Sequence, residues 1–172
     1  MFEHVQRGLI VLIILMGTKP TQASNSTWWH NLSQTTRNAL IVLSACEDLG
    51  ENTGLSCKEW VRDVVEEASS QSAIIPSTKP NLYQWYAHPY VTATSASTSI
   101  QNASTGSIIQ MKWSLPSGGS TPHTAIIVAH ASNGMWWIDC NWNFDTKVTI
   151  HFVSYSLFYQ RAGALYTVHY IK

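Results

Sequence analysis

Charged residues are scarce in this sequence. Only 12% of its 172 residues are Asp, Glu, Lys or Arg, and ten acidic residues balance ten basic ones, so the formal net charge is zero. Proteins that bind nucleic acid usually carry a basic patch or stripe, and no run of like charges occurs here. The composition therefore argues against a nucleic-acid partner. Eight Trp and seven Tyr favour contacts through stacking and hydrogen bonds instead.

Cysteine is also rare. Cys46, Cys57 and Cys140 are the three in the chain, and an odd number cannot pair completely within one molecule. This count excludes a small fold held together by disulfides. The C-x-x-C, H-E-x-x-H and calcium-loop patterns are missing, so the common metal-binding motifs are absent. We therefore expect no metal and no other cofactor, and at least one free thiol.

No hydrophobic run is long enough to cross a bilayer as a helix. The apolar run covers residues 8–17, which is ten residues against the roughly 20 that a span needs. Arg7 precedes it, and a polar segment with the small residues Thr21, Ala23 and Ser24 follows. This layout predicts a secretory signal peptide over residues 1–23, cleaved after Ala23, with an uncleaved anchor as the alternative. The expected product is a secreted or periplasmic domain of residues 24–172 without a stable membrane span.

Two helices are predicted early in this domain. The first, capped by Asn31 or Ser33, carries apolar residues 40–45 and stops at Gly50. The second starts after Ser56, because Ser56 and a Glu three residues later have the spacing of a capping box. Its apolar or small positions recur at steps of three and four, which predicts one buried face (Cys57, Trp60, Val61, Val64, Val65 and Ala68).

The second half of the chain has the pattern of an antiparallel sheet. Residues 69–106 are rich in Ser, Thr, Ala and Pro and are interpreted as a long surface excursion. Five strands are predicted after it, over residues 107–113, 124–131, 135–142, 148–154 and 164–171, with an Asn133-Gly134 hairpin turn. Helices followed by strands predict an α+β domain, with the helices packed on a sheet of about five strands.

One arrangement of residues has the elements of nucleophilic catalysis. Cys57 would be the first residue of the second helix, where free backbone N–H groups and the helix dipole favour a thiolate. His123 opens a predicted strand, and Asp139 and Asn141 alternate to one face of the next, while Cys140 points to the other. A carboxylate or amide there could hold the imidazole in the tautomer that accepts the thiol proton. The other histidines are taken as structural.

Four segments in this order resemble the CHAP amidases and endopeptidases of the wider NlpC/P60 group. They are residues 54–61 (GLSCKEWV), 106–110 (GSIIQ), 122–128 (PHTAIIV) and 138–142 (IDCNW), and the match extends over about residues 50–171. The resemblance implies a papain-like α+β fold. It also implies that Cys57 is the nucleophile, His123 the base, Asp139 the orienting acid and Asn141 the amide two residues on. Whether Asp139 or Asn141 orients His123 stays open.

Two departures from the family pattern bear on the target. The usual Gly-Asp before the first strand reads Gly106-Ser107 here, and no repeat that binds cell wall accompanies the domain. Ser107 in place of that Asp has little bearing on the expected activity, because the Asp has a structural role in most relatives. The missing wall module fits a periplasmic enzyme that meets thin peptidoglycan directly, or a substrate other than cell wall.

The resulting expectation is an exported, monomeric cysteine hydrolase that cleaves amide bonds of peptidoglycan stem peptides, as an N-acetylmuramoyl-L-alanine amidase or an endopeptidase. Trp85, Tyr86 and His88, from an aromatic island inside the surface excursion, are candidates for the border of the substrate groove. Two alternatives remain. One is a non-catalytic exported domain that binds a peptide or glycan. The other is a transglutaminase-like acyltransferase, which uses the same residue types but transfers the acyl group to an amine.

Overall fold

The computed structural model describes residues 26–73, 91–94, 99–142 and 146–172. The predicted signal peptide lies outside the described residues, as do Trp85, Tyr86 and His88. The described helices are α1 (Ser26–Asn31), α2 (Gln34–Glu47), α3 (Cys57–Ala68) and α4 (Tyr155–Ala162), with a short 3-10 helix at Ile100–Asn102. The described strands are β1 (Val91–Thr94), β2 (Ile108–Ser114), β3 (Ser120–Ala131), β4 (Gly134–Asp139), β5 (Thr149–Ser154) and β6 (Tyr166–Ile171).

The strands form one antiparallel sheet in the order β1-β6-β2-β3-β4-β5. The α+β class is therefore confirmed, but the sheet has six described strands, not about five. The additional strand, β1, lies in the segment interpreted as a surface excursion. Its residue Val91 pairs with Ile171, 80 residues further along the chain, so no local pattern signals the pairing.

The two predicted helices are confirmed at their starts. Ser33 caps α2 by accepting a hydrogen bond from the Thr36 N–H, and Ser56 caps α3. Helix α2 ends at Glu47, three residues before Gly50, which adopts a left-handed backbone. Among the described residues, no helix has both the length and the apolar character that a membrane span requires.

The sheet has an apolar core on each face, because its side chains alternate between them. On one face, α1, α2 and α3 cover β-strand residues such as Ile108, Ile126 and Ile138. On the other face, Phe158 of α4 packs with Trp137 and neighbouring strand residues. The early helices thus lie on one face, as predicted, whereas α4 follows β5 directly in a segment where the sequence pattern predicted no element.

The hairpin between β3 and β4 is also confirmed, with a shift in its turn. Gly134 already pairs with Ala131, so the two turn residues are Ser132 and Asn133 instead of Asn133 and Gly134. Ile126 lies opposite Ile138 in this hairpin, which brings the end of β4 beside the beginning of β3. That placement brings Asp139, at the end of β4, close to His123 of β3.

Candidate active site

The start of α3 fixes the position of Cys57. The Ser56 N–H donates to Glu59 Oε2 at 3.1 Å, and the Glu59 N–H donates to Ser56 Oγ at 3.4 Å. This is the predicted capping box, and it makes Cys57 the first helical residue. The Cys57 N–H therefore has no carbonyl partner within the helix, and it lies at the positive end of the helix dipole.

His123 lies in β3 and its ring is held by an acidic residue. His123 Nε2 is 2.9 Å from Asp139 Oδ2, and Asp139 is fully buried at the end of β4. The rings of Trp142 and Trp137 pack against the imidazole, with centroids 5.3 and 6.0 Å away. A carboxylate only accepts hydrogen bonds, so Nε2–H of His123 is the donor in this contact.

The second ring nitrogen of His123 faces the thiol. Cys57 and His123 are hydrogen-bonded to each other, and because Asp139 holds Nε2, Nδ1 is the nitrogen that remains for Cys57. The structure therefore brings Cys57, His123 and Asp139 into one hydrogen-bonded chain. Helix α3 supplies the first of them, β3 the second and β4 the third.

The electrostatics of this chain favour a charged pair. Burial raises the pKa of the Cys57 thiol, but the hydrogen bond and charge of His123, together with a hydrogen bond from the Thr124 backbone, hold that pKa below its usual value. Burial lowers the pKa of His123, whereas the hydrogen bonds and charges of Asp139 and Cys57 raise it, and the balance raises the pKa of His123 to about 9. Near neutral pH His123 is therefore an imidazolium, and its charge favours the thiolate form of Cys57.

Asp139 has a second imidazole beside it, that of His151, one of the histidines that the sequence predicts to be structural. His151 Nε2 lies 3.4 Å from Asp139 Oδ1 and 2.6 Å from Thr149 Oγ1. Trp142 packs against the His151 ring with a centroid distance of 5.1 Å. The sequence carries only a weak indication of this contact. Thr149 pairs with Asp139 across the sheet, and His151, two residues further, lies on the same face as Thr149.

Asn141 is not placed as the strand alternation predicted. Strand β4 ends at Asp139, and Asn141 adopts a left-handed backbone with φ 66°, so the two residues do not share a strand face. Within the described part of the chain, no hydrogen bond joins Asn141 to His123; its position is on the wall of the cleft beside Cys57. Of the two candidates, Asp139 is the residue that contacts the imidazole.

Cys140 supports the loop that leads to Cys57. Its buried sulfur lies 3.3 Å from Thr53 Oγ1, and its S–H donates to the Leu55 carbonyl at 3.2 Å. All three cysteines are free thiols. No disulfide joins Cys46 to Cys140, and the two residues are half-buried and buried respectively.

A cleft of about 230 Å³ opens onto Cys57 and His123. Its walls come from the β2–β3 hairpin, the segment after β4 and helix α4; beyond the two site residues they are Trp113, Leu115, Pro116, Thr121, Pro122, Asn141, Trp142, Leu157 and Arg161. A cleft of mainly apolar walls with a few polar groups is typical of a site for a small ligand or a short peptide. Within the described ranges, no group of three or more His, Cys, Asp or Glu side chains is placed to hold a metal ion.

The arrangement has the parts of covalent catalysis. A thiol lies beside an imidazole, the imidazole contacts a buried carboxylate, and an N–H group without a helical partner belongs to the same cysteine. The thiolate can attack an electrophilic carbonyl carbon. The imidazolium can then donate a proton to the group that leaves.

Comparison with known proteins finds likeness at the level of the fold. No family model matches this sequence, and no curated protein matches it. Among solved structures, the crystal structure of Ly7917 matches with a TM-score of 0.53 and 10% sequence identity, over 81% of this chain and 62% of that one. The crystal structure of Ly7917 with the hydrolyzing product of MDP matches with a TM-score of 0.52 and 12% identity, over 80% and 63%. This chain therefore spans less than two thirds of the length of Ly7917, and it has a similar fold.

Proposed function

We propose that this protein is an exported cysteine hydrolase of the CHAP type, with a papain-like fold, that cleaves amide bonds of peptidoglycan stem peptides. The observation that carries the proposal is the hydrogen-bonded chain from Cys57 through His123 to the buried Asp139. A structural cysteine needs neither a buried acid behind its partner nor an open cleft in front of it. The crystal structure of Ly7917 with the hydrolyzing product of MDP adds support, because Ly7917 has a similar fold and its structure contains a product of hydrolysis.

The first half of the reaction forms a thioester. The Cys57 thiolate attacks the amide carbonyl carbon, and the carbon–sulfur bond forms as the carbonyl oxygen takes up negative charge. The Cys57 N–H, free at the helix start, donates to this oxygen. Asn141 lines the same cleft and offers a carboxamide N–H as a second donor. The His123 imidazolium then gives its proton to the amine nitrogen, and the carbon–nitrogen bond breaks.

The second half returns the enzyme to its starting state. The neutral His123 takes a proton from a water molecule, whose oxygen attacks the thioester carbon. The carbon–sulfur bond breaks, a carboxylic acid is released, and the thiolate and imidazolium are restored. Asp139 keeps the same ring orientation throughout, because its bond to Nε2 leaves Nδ1 toward the sulfur.

The test is digestion of purified peptidoglycan under reducing conditions, with the products identified by mass spectrometry. The wild-type protein is expected to release stem peptides or fragments with new amino termini, and Cys57→Ala is expected to release none. Cys46→Ala is the matched control, because Cys46 is another free thiol and lies on α2, away from the cleft. Activity that survives in Cys57→Ala, or a wild-type protein that releases nothing, would overturn the proposal. Transfer of the acyl group to an added amine would favour the acyltransferase alternative.

A further inference from the structure

The cleft has a positively charged side chain on its wall, away from the reacting atoms. Among the described residues that line it, Arg161 is the one with a permanent charge, and neither Asp nor Glu is among them. Asp139 is not part of the cleft wall, because it is fully buried behind His123. A ligand in the cleft therefore meets a guanidinium on one wall.

Helix α4 directs Arg161 into the cleft. Leu157 and Arg161 are four residues apart and so lie on one face of the helix, and both line the cleft. The adjacent face of the helix is anchored by the buried side chains of Phe158 and Ala162. Ser154 caps the helix start by accepting a hydrogen bond from the Leu157 N–H at 3.1 Å. The guanidinium thus projects from an anchored element.

The guanidinium itself is only partly used. Arg161 Nη1 donates to the Ser114 carbonyl at 3.3 Å, which orients the side chain along the β2–β3 hairpin. Among the described residues, that carbonyl is its one hydrogen-bond acceptor, and no carboxylate pairs with it. Arginine has five N–H donors in a planar fork, so most of them remain available to a ligand.

We infer that Arg161 forms a carboxylate-binding subsite, so that the preferred substrates carry a free carboxylate close to the scissile amide. The inference rests on the proposed function and names the substrate class within it. A planar carboxylate matches the guanidinium fork and accepts two parallel N–H bonds from it. A phosphate group normally recruits several cationic or N–H donors, and this wall offers one guanidinium.

The subsite predicts discrimination between two peptides that differ in one group. The pair consists of synthetic stem peptides with either a free carboxylate or a carboxamide beside the scissile bond. The wild-type protein is expected to prefer the carboxylate form about tenfold or more in kcat/KM, mainly through KM. Arg161→Gln is expected to remove the preference, and Arg161→Lys to restore part of it. Arg62→Gln is the matched control, since Arg62 lies on α3 and pairs with Asp63 and Glu66.

A binding measurement separates the failure of this inference from the failure of the proposed function. Titration calorimetry with Cys57→Ala protein measures the affinity of both peptides without turnover. An affinity for the carboxylate peptide that falls about tenfold when Arg161→Gln is added supports the subsite, even if the wild-type protein cleaves neither peptide. Equal affinity for both peptides, binding of neither, or a carboxylate preference that survives in Arg161→Gln would overturn it.

Discussion

Replacement of Asp139 by Asn tests whether the acid keeps His123 charged. Asn has the same shape but cannot supply the negative charge that faces Nε2 at 2.9 Å. The difference between a pKa of about 9 and the ordinary 6.5 corresponds to roughly 3 kcal/mol of preference for the imidazolium. Without the carboxylate, burial still lowers the pKa of His123, and of the groups that raised it only Cys57 remains. The pKa of His123 is therefore expected to fall, so that a smaller fraction of the ring is charged at neutral pH in the variant.

The loss of the imidazolium should appear at the thiol. Asp139 slightly raises the pKa of Cys57 through its own charge, but the hydrogen bond and charge of His123 lower that pKa more strongly. The pKa of Cys57 is therefore expected to rise in Asp139→Asn. At pH 6 we expect the rate of Cys57 alkylation by iodoacetamide to fall by about 10- to 100-fold in Asp139→Asn, since the thiolate is the reacting form. The difference should close above about pH 9, where the wild-type His123 also loses its proton.

The assay is peptide mass spectrometry of all three cysteines over a pH series. Cys46, whose pKa burial raises, and the buried Cys140 report any general opening of the fold. Asp63→Asn is the control substitution, because Asp63 is an exposed residue on α3. An Asp139→Asn protein that is folded, as judged by its melting temperature, and alkylates at the wild-type rate at pH 6 would refute the reasoning.

Three stability predictions follow from named contacts, each measured by urea unfolding. Ser56→Ala removes the capping box of α3 and should cost about 1 kcal/mol, and an unchanged midpoint would contradict this. Gly106→Ala places a Cβ 2.4 Å from the Asn38 carbonyl oxygen at a φ of 81° and should cost roughly 3 kcal/mol or more, whereas Gly118→Ala, with open space around it, should cost only about 1 kcal/mol. Burial lowers the pKa of His169 to about 3, so below pH 6.5 the unfolded chain binds a proton that the folded protein does not. Between pH 6 and 4 the wild-type protein should therefore lose up to about 1.4 kcal/mol of stability per pH unit through this group, and His169→Gln should not show this loss. The same dependence of stability on pH in both proteins would contradict the prediction.

The parts of the site that the sequence predicts are those built from short-range patterns. Ser56 and Glu59 are three residues apart, and their spacing alone places Cys57 at a helix start. The β3–β4 hairpin has a two-residue turn, so the side-chain contact between His123 and Asp139 also depends on residues close in the sequence. In both cases local geometry determines the contact.

The parts that the sequence does not predict depend on distant contacts. Strand β1 is held in the sheet by its pairing with β6, and no turn or alternation near residue 91 indicates a partner 80 residues away. Helix α4 has only eight residues and follows β5 without a loop, so the segment is too short for the helical period to be recognised beside a strand. As a result, Leu157 and Arg161, which form one wall of the cleft, could not be assigned to it.

The assignment of the acid depends on where one strand ends. Alternation places Asp139 and Asn141 on the same face only while the chain stays extended, and the left-handed backbone at Asn141 breaks that condition. The side chain of Asp139 therefore stays behind His123, where burial strengthens its interaction with the imidazolium, and Asn141 is free to line the cleft. One backbone change thus separates two polar residues that would otherwise compete for the same imidazole. It leaves the carboxylate to hold the ring and gives the amide access to a ligand.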